Sequence, residues 1–444
     1  MLFKKKYKTL LWIWLSLACK PGSTTFARLL KWRDFQSAES VYNATDEELE
    51  RLLGKNSSAL TALKNKELGA AERILNYCDA TNIKIIVYGQ KDYPSSFSAI
   101  RLPPVLLYCR GELPTSDECM KVGVVGTRSM TAYGKKHAFT ISSALASAGA
   151  VIVSGMARGI DAVASAGALY AKGKTVVFLG CGIDRIYPPE HRMLSQAIIH
   201  AGAVVSEYPP GYVGDKYCFP VRNRLISAFS DCVFVVEGNA RSGALITARE
   251  AVSQGKPIFA LPGSVDRVTS EASQLLLKRG AYAADCADDI IRALSEEYPT
   301  EKMLKLLEHS EPTLRDIDGV LSAYGIQKEP PMLQRDADAP TYTKASYRRQ
   351  KSVTQSKTEE EPISDREIHR TDEKTSDAND MPSVKLGEPM RTVYLAMPND
   401  TSVVFDTLRE LVPDLDSKTL TSALSRLCVL GLVDSLSGER YKKL

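Results

Sequence analysis

The sequence has few of the side chains that build metal sites. Its 444 residues include five histidines, and its nine cysteines are scattered without a CxxC pair or a Cys/His cluster. A zinc site is therefore not expected, and unpatterned thiols in odd number are typical of a reducing compartment. Neither a Ser/His/Asp elbow nor an HExxH motif is present. We predict a protein without metal or cofactor.

Strong charge and long hydrophobic runs are also missing. The net charge is +4 with a pI near 8.4, which is too mild to indicate a nucleic-acid partner without local evidence. The apolar run at residues 10–17 is too short to span a bilayer, which takes ~20 apolar residues. Lysines precede this run as in a signal peptide, but no small-residue cleavage site follows cleanly. We interpret it as the first helix of a cytoplasmic protein with no membrane partner.

Composition divides the chain into segments. Residues 1–100 carry helical spacing, a cap at Asn43 or Thr45 and a stop at Gly54, which predicts a small helical domain of the SAM-like type. Residues 311–388 hold almost no large apolar side chains and predict a disordered linker. Residues 389–444 contain three amphipathic helices and a hairpin, the plan of a winged-helix domain. Such a domain contacts DNA in some proteins and docks protein partners in others.

The central segment, residues 101–298, alternates apolar strands with helical stretches. Strands with apolar side chains on both faces are typical of a parallel sheet covered by helices on both sides. The segment predicts an α/β fold with a Rossmann-like, doubly wound parallel sheet. After a short first strand in VLLYCRG, the predicted strands are 122–125, 150–154, 175–179, 203–206, 232–236 and 257–260.

Short, glycine-bearing polar loops follow these strands. In open parallel sheets, ligands bind beyond the carboxyl ends of the strands, where glycines and helix N-termini suit an anion. One such loop is weak evidence for a ligand, because strand-to-helix turns need glycine in any case. Their recurrence at one edge, together with cations, predicts an anionic ligand. The cations are Arg128, Arg158, Lys216, Arg222, Arg224 and Arg241.

Two of these cations lie at electrostatically unfavourable positions. Arg222 and Arg224 lie near the start of a predicted helix, where the helix dipole disfavours positive charge. Either carboxylates such as Asp184 or Glu207 neutralise them, or they bind phosphate.

Lys216 and Phe219 precede the two arginines. A lysine for phosphate beside a ring for a base is the combination used on single strands, where stacking contributes ~1–3 kcal/mol per base. Alternatively, Phe219 plugs the end of the core.

Known nucleotide and catalytic signatures do not fit. GALYAKGKT at 167–175 is one residue too long for a phosphate-binding loop of the Walker type and precedes a strand. GVVGTR and GCGID are not a dinucleotide-binding fingerprint. Ser154 and Asp161 are better explained as helix caps than as catalytic groups.

Six ordered motifs resemble the bacterial DNA-processing protein A (DprA/Smf) family. The resemblance implies a Rossmann-like, non-enzymatic protein of natural transformation and recombination. Such proteins bind and protect incoming single-stranded DNA, form homodimers and help to load the RecA recombinase. The motifs are GTRSMTAYG, SGMARGIDAVA, LGCGIDRIYPPEH, SEYPPG, FPVRNRLISAFSD and SGALITAREAVSQGKPIFALPGS.

The resemblance also implies pocket residues. The pocket residues form our predicted nucleic-acid-binding set together with Arg222 and Arg224, which are included because they lie near the strand ends. Ala272 and Gln274 stand where the family usually has glycine and asparagine, which concerns the loop after LPGS. The family's pocket positions correspond to Arg128, Lys216, Phe219, Arg241, Ser242 and Gly243.

Two other functions stay open. Phosphoribohydrolases of the lysine-decarboxylase-like family share the fold, and Thr247 and Glu250 have the spacing of their TxxE motif. The glycine run that precedes that motif is missing here. The third possibility is a scaffold protein whose winged helix docks partners.

Overall fold

A computed structural model describes residues 2–55, 57–114, 119–297, 316–326, 388–398, 402–429, 432–436 and 440–443. The helices are α1 Leu2–Ala18, α2 Thr25–Leu29, α3 Ala38–Tyr42, α4 Asp46–Leu53, α5 Ser58–Lys64, α6 Gly69–Ala80, α7 Ser95–Ser98, α8 Ala132–Ser147, α9 Ile160–Tyr170, α10 Arg192–Ala201, α11 Cys218–Phe229, α12 Gly243–Ser253, α13 Glu271–Lys278, α14 Ala287–Glu297, α15 Ile317–Ala323, α16 Glu388–Ala396, α17 Phe405–Leu411 and α18 Ser417–Val429. The strands are β1 Lys84–Val87, β2 Leu106–Gly111, β3 Lys121–Val125, β4 Val151–Ser154, β5 Thr175–Leu179, β6 Ala203–Ser206, β7 Cys232–Val235, β8 Ile258–Ala260, β9 Tyr282–Ala283, β10 Val403–Val404, β11 Val433–Leu436 and β12 Arg440–Lys443.

Nine strands form the central sheet, in the order β1-β2-β6-β5-β4-β3-β7-β8-β9. Strands β3 to β9 pair in parallel with one another, while β1 and β2 are antiparallel additions at one edge. The chain moves outward from β3 to β6 and then returns to place β7 on the other side of β3. The strand order therefore reverses between β3 and β7, and this is where such sheets bind ligands.

Both faces of the sheet are covered. In β7, the side chain of Phe234 packs into one core with Phe139 and Ile160, whereas Val233 packs into a second core with Phe229 on the opposite face. Alternate residues of one strand point to opposite faces, and each face here needs its own apolar cover. The predicted doubly wound α/β fold is confirmed, with the antiparallel edge as an addition.

The N-terminal part is helical over α1 to α6. The apolar run of residues 10–17 lies in α1, and its middle residues are buried. At the start of α4, Thr45 and Glu48 form a capping box, and Gly54 ends the helix with a φ of +81°. The sheet, however, begins inside the segment that we predicted as helical, because β1 (Lys84–Val87) pairs with β2. None of the described helices is long and apolar enough to cross a membrane.

A short helix lies inside the segment predicted to be a disordered linker. Residues 316–326 contain α15, capped by Asp316, and bury Leu321 and Ile326 against the first core. These residues therefore depart from the prediction of disorder, because Ile317, Val320 and Tyr324 also pack against the core and help to dock the short helix. The rest of the predicted linker, residues 311–315 and 327–387, lies outside the described residues.

The described residues from 388 to 443 build a separate small core. Three helices, α16 to α18, pack with an antiparallel sheet of order β10-β12-β11. Met390, Leu408 and Leu424 are buried in this core. The assignment to the winged-helix class stays a prediction.

Candidate nucleic-acid interface

The loops that follow the parallel strands meet at one edge of the sheet. We call this edge the rim; it comprises residues 126–131, 155–159, 180–188, 216–219 and 236–243. The backbone N–H of Thr127 donates to the carbonyl of Glu237 over 2.7 Å, which joins the loops after β3 and β7. The Asn223 side-chain amide donates to the Gly243 carbonyl over 3.3 Å. This bond holds α11 against the start of α12.

Phe219 is the centre of the rim. It is half-buried in the first turn of α11. The guanidinium carbons of Arg128 and Arg222 lie 5.3 Å and 6.0 Å from its ring centroid, within the range of cation–π attraction. The ring of Tyr187 lies 5.3 Å away at an interplanar angle of 45°. A predicted base-stacking residue thus contacts two cations and a second ring.

Glu237 holds the loop that carries Arg128. Its buried carboxylate accepts from the backbone N–H of Thr131 over 2.9 Å and from the Thr131 hydroxyl over 2.5 Å. A Cβ at Gly134 would lie 2.2 Å from a Glu237 carboxylate oxygen, so glycine is needed there. Sequence reasoning missed Glu237. Its signal was a carboxylate placed directly after the apolar strand β7.

Lys216 and Arg241 are exposed cations on the rim. The Lys216 ammonium nitrogen lies 5.2 Å from the ring centroid of Tyr217, itself 68% exposed. The backbone N–H of Arg241 donates to Asn239 Oδ1 over 2.9 Å, which shapes the turn before α12. Within the described part of the chain, no carboxylate lies within salt-bridge distance of Arg128, Lys216 or Arg241. These three charges therefore remain available to an anion.

Ser242 and Gly243 begin α12. The Ser242 hydroxyl accepts from the backbone N–H of Ala244 over 3.2 Å and caps the helix. A Cβ built at Gly243 would meet nothing within 4 Å, so the fold itself does not require glycine there. A glycine in open space at a helix N-terminus leaves room for an anion to approach the backbone.

Arg222 is buried, which corrects its predicted contact with a phosphate. It is 4% exposed, and its Nη1 donates to the carbonyls of Gly155, over 2.8 Å, and of Phe178. Burial lowers the pKa of Arg222, and the nearby carboxylate of Asp161 opposes that shift. Arg222 therefore ties the ends of β4 and β5 together beneath Phe219 and does not reach a ligand outside. Asp161 is buried in the first turn of α9, but Gly159 is the N-cap and no described side chain caps this helix, so the capping prediction for Asp161 is wrong.

Arg224 is likewise buried, which corrects its predicted phosphate contact. Its Nη2 donates to both carboxylate oxygens of Glu207, over 2.7 and 2.8 Å. Of the two outcomes left open by the sequence, neutralisation by Glu207 is the one found. Asp184 accepts instead from the backbone N–H of Gly211 over 2.8 Å. The helix-dipole argument did not predict a phosphate contact correctly, because it could not show that both arginines of α11 point inward.

Other predicted residues have structural partners. Arg158 forms an ion pair with Glu190. The Ser154 hydroxyl donates to the Val124 carbonyl over 2.7 Å from the end of β4, so Ser154 does not cap a helix as predicted. Thr247 is a buried residue of α12, with 1% of its surface exposed. Ala272 is buried in the second core, and its backbone N–H donates to the Gly238 carbonyl over 2.8 Å, which anchors the loop before Arg241.

Together these features define a doubly wound α/β protein with free cations and two rings at its strand ends. The family model of DNA recombination-mediator protein A matches residues 84–295. The DNA processing protein DprA of Bacillus subtilis is 38% identical over 224 residues, covering 50% of this chain and 75% of that protein. The chain belongs to the DNA-processing protein A (DprA/Smf) family. Its broad function is DNA processing.

Further comparisons agree. Protein Smf of Escherichia coli is 37% identical over 224 residues, which is 50% of this chain and 60% of that protein. The X-ray structure of DNA processing protein A from Streptococcus pneumoniae matches with a TM-score of 0.54 and 28% identity. That match covers 63% of this chain and 95% of the pneumococcal chain. The matched relatives thus support the fold and the family assigned here.

Proposed function

We propose that this protein binds single-stranded DNA at the rim. Phosphates contact Arg128, Lys216 and Arg241, and an unpaired base stacks on Phe219. The observation that carries this proposal is that the guanidinium of Arg128, in the loop after β3 at the switch point of the sheet, lies on the half-buried ring of Phe219. Cations combined with a stacking ring suit single strands of any sequence, because every base has a π-face.

The position of the ring favours a single strand over a duplex. Phe219 is half-buried, and the buried Arg222 and the exposed Arg128 both lie within cation–π distance of its ring. The faces of paired bases are covered by their stacked neighbours, so only an unpaired base can lie on this ring.

Arg128 has a second role in the proposal. Its side chain is exposed, and no salt bridge fixes it among the residues with described positions. An arriving base can displace the guanidinium from the ring, and the guanidinium then pairs with a neighbouring phosphate. An arginine is suited to both contacts, since its planar group stacks on rings and binds phosphate in a bidentate manner.

The start of α12 supplies a further phosphate contact in this proposal. The first backbone N–H groups of a helix carry partial positive charge. At Gly243 no side chain blocks them, and the neighbouring Arg241 adds a full charge.

We also propose the wider role that the family resemblance implies. The protein acts without enzymatic activity in the cytoplasm, in natural transformation and recombination. It protects incoming strands as a homodimer and helps to load RecA. The free thiols of the described cysteines fit a reducing compartment.

Fluorescence anisotropy with labelled oligo-dT and with a matching duplex, over a salt series, tests the proposal. We expect tight, salt-sensitive binding that prefers the single strand. Absence of a preference, or binding to duplex only, would overturn it. Release of free base from AMP by the purified protein would instead support the phosphoribohydrolase alternative.

A further inference from the structure

Tyr187 places a second aromatic ring on the rim. It follows β5, and its ring centroid lies 5.3 Å from that of Phe219 at 45°. The side chain is 38% exposed, so the ring is not a core residue. Among the described residues, its hydroxyl has no hydrogen-bond partner. Tyr187 therefore presents an open ring next to the proposed base site.

We propose that Tyr187 is a second base-binding position, so that two successive bases stack on Phe219 and Tyr187. This inference rests on the proposed function and specifies how the same rim holds its strand. The described contacts leave the Tyr187 ring open, whereas burial and two guanidinium groups surround much of Phe219.

The geometry of the two rings determines the shape of the bound strand. Stacked neighbours in a duplex strand are ~3.4 Å apart and nearly parallel. Two rings 5.3 Å apart and inclined by 45° cannot both stack on bases that still stack on each other. The strand must therefore splay its bases at this step. Proteins that recognise single strands commonly splay bases out and stack them on aromatic side chains.

The order of the strands in the sheet gives the bound DNA a path along the rim. Arg128, whose guanidinium contacts the ring of Phe219, lies in the loop after β3. Tyr187 lies in the loop after β5, and β4 separates these two strands in the sheet. A single DNA strand whose bases stack on both rings runs from the loop after β3 toward the loop after β5.

The first test measures the affinity of the full-length protein for labelled oligo-dT over a salt series. We expect Tyr187→Ala to weaken binding about tenfold, as for one lost base stack. The salt slope should stay the same, because no charge is removed. Tyr187→Phe keeps the ring and should bind like wild type.

A matched control is Tyr170→Ala. Tyr170 is 37% exposed and contacts the ring of Phe139 at 5.5 Å. It ends α9 and therefore lies toward the opposite edge of the sheet from the rim. Its replacement should leave DNA affinity unchanged. An equal loss in Tyr170→Ala and Tyr187→Ala would refute a specific role for Tyr187.

The second test needs no substitution. Wild-type protein is irradiated in complex with an oligo-dT that contains 5-iododeoxyuridine, and cross-linked peptides are identified by mass spectrometry. Adducts on both Tyr187 and Phe219 are expected. Adducts on Phe219 alone would overturn the inference, even if Tyr187→Ala fails to fold.

The outcomes separate this inference from the function on which it rests. If wild type binds single strands and depends on Lys216 and Phe219, but Tyr187→Ala binds equally well, the second base position is wrong and the function stands. If Tyr187→Phe is as weak as Tyr187→Ala, the hydroxyl and not the ring matters, and stacking is refuted. If wild type shows no preference for single strands, the proposed function itself fails.

Discussion

Cationic side chains have two opposite roles in this protein. Lys216 and Arg241 are exposed, whereas Arg222 and Arg224 are each 4% exposed and bonded to backbone carbonyls or a carboxylate. An exposed cation keeps its charge free for phosphate. A buried cation needs a polar or charged partner inside the protein, because an unpaired charge in the interior is strongly unfavourable.

We predict that Lys216→Ala and Arg241→Ala each weaken single-strand binding to a similar degree for all sequences. Each removes one phosphate contact, so the slope of log K against log salt should fall by ~0.7 in magnitude. Anisotropy titrations between low and moderate salt measure both quantities. Lys174→Ala is the control, since Lys174 is exposed just before β5, at the opposite edge of the sheet. Unchanged affinity in both rim variants would refute the phosphate contacts.

At the scale of one element, α11 connects the rim to the core. Phe219 and Arg222 are three residues apart, so they lie on the same side of the helix one above the other. This spacing explains the 6.0 Å contact between the buried guanidinium and the ring. Arg224, further along the helix, binds Glu207 just after β6. The helix therefore presents Phe219 in an orientation that its buried arginines fix.

We expect Arg224→Ala to destabilise the protein by ~3–5 kcal/mol, because Glu207 is left buried without its partner. Urea unfolding followed by circular dichroism measures this loss. The double variant Arg224→Ala with Glu207→Ala removes both charges and should be less destabilised than the sum of the two single variants. Additive losses would show that the pair is not coupled. Binding of oligo-dT by folded Arg224→Ala should persist, since Arg224 does not face the ligand.

At the scale of the whole molecule, residues 316–326 are a docked segment between the α/β domain and the C-terminal helices. The Lys135 ammonium pairs with Asp318 over 2.5 Å, and Leu321 is 2% exposed. The backbone of Gly325 lies against the carbonyl of Glu190, next to the ion pair with Arg158. The segment thus lies beside the loop that connects β5 to α10.

We predict that Leu321→Asp releases this segment, because burial of a leucine side chain contributes ~1.5–3 kcal/mol. Backbone amides of residues 317–323 should exchange with solvent at least tenfold faster, as measured by hydrogen–deuterium exchange. Ser322→Asp is the control, since Ser322 is exposed on the same helix. Equal protection in wild type and Leu321→Asp would show that the segment is not held by this contact.

The sequence by itself determined most of the elements and the edge of the sheet at which the strand-end loops meet. Apolar runs predict the strands, because a strand covered on both faces needs apolar side chains throughout. Thr45 and Gly54 bound a helix through local hydrogen bonds and backbone freedom. The rim followed from topology, since parallel strands bring their carboxyl ends to one edge. Each of these inferences depends on residues that are near one another in the chain.

Only the tertiary structure decided which of the candidate side chains are exposed at the rim. Arg224 turns inward because folding brings Glu207 to it, and Arg222 because the carbonyls of Gly155 and Phe178 arrive from two other strands. Tyr187 reaches Phe219 across 32 positions of sequence (219 − 187). Contacts between distant segments carry no local pattern, so a motif names candidate residues while packing selects those that are exposed.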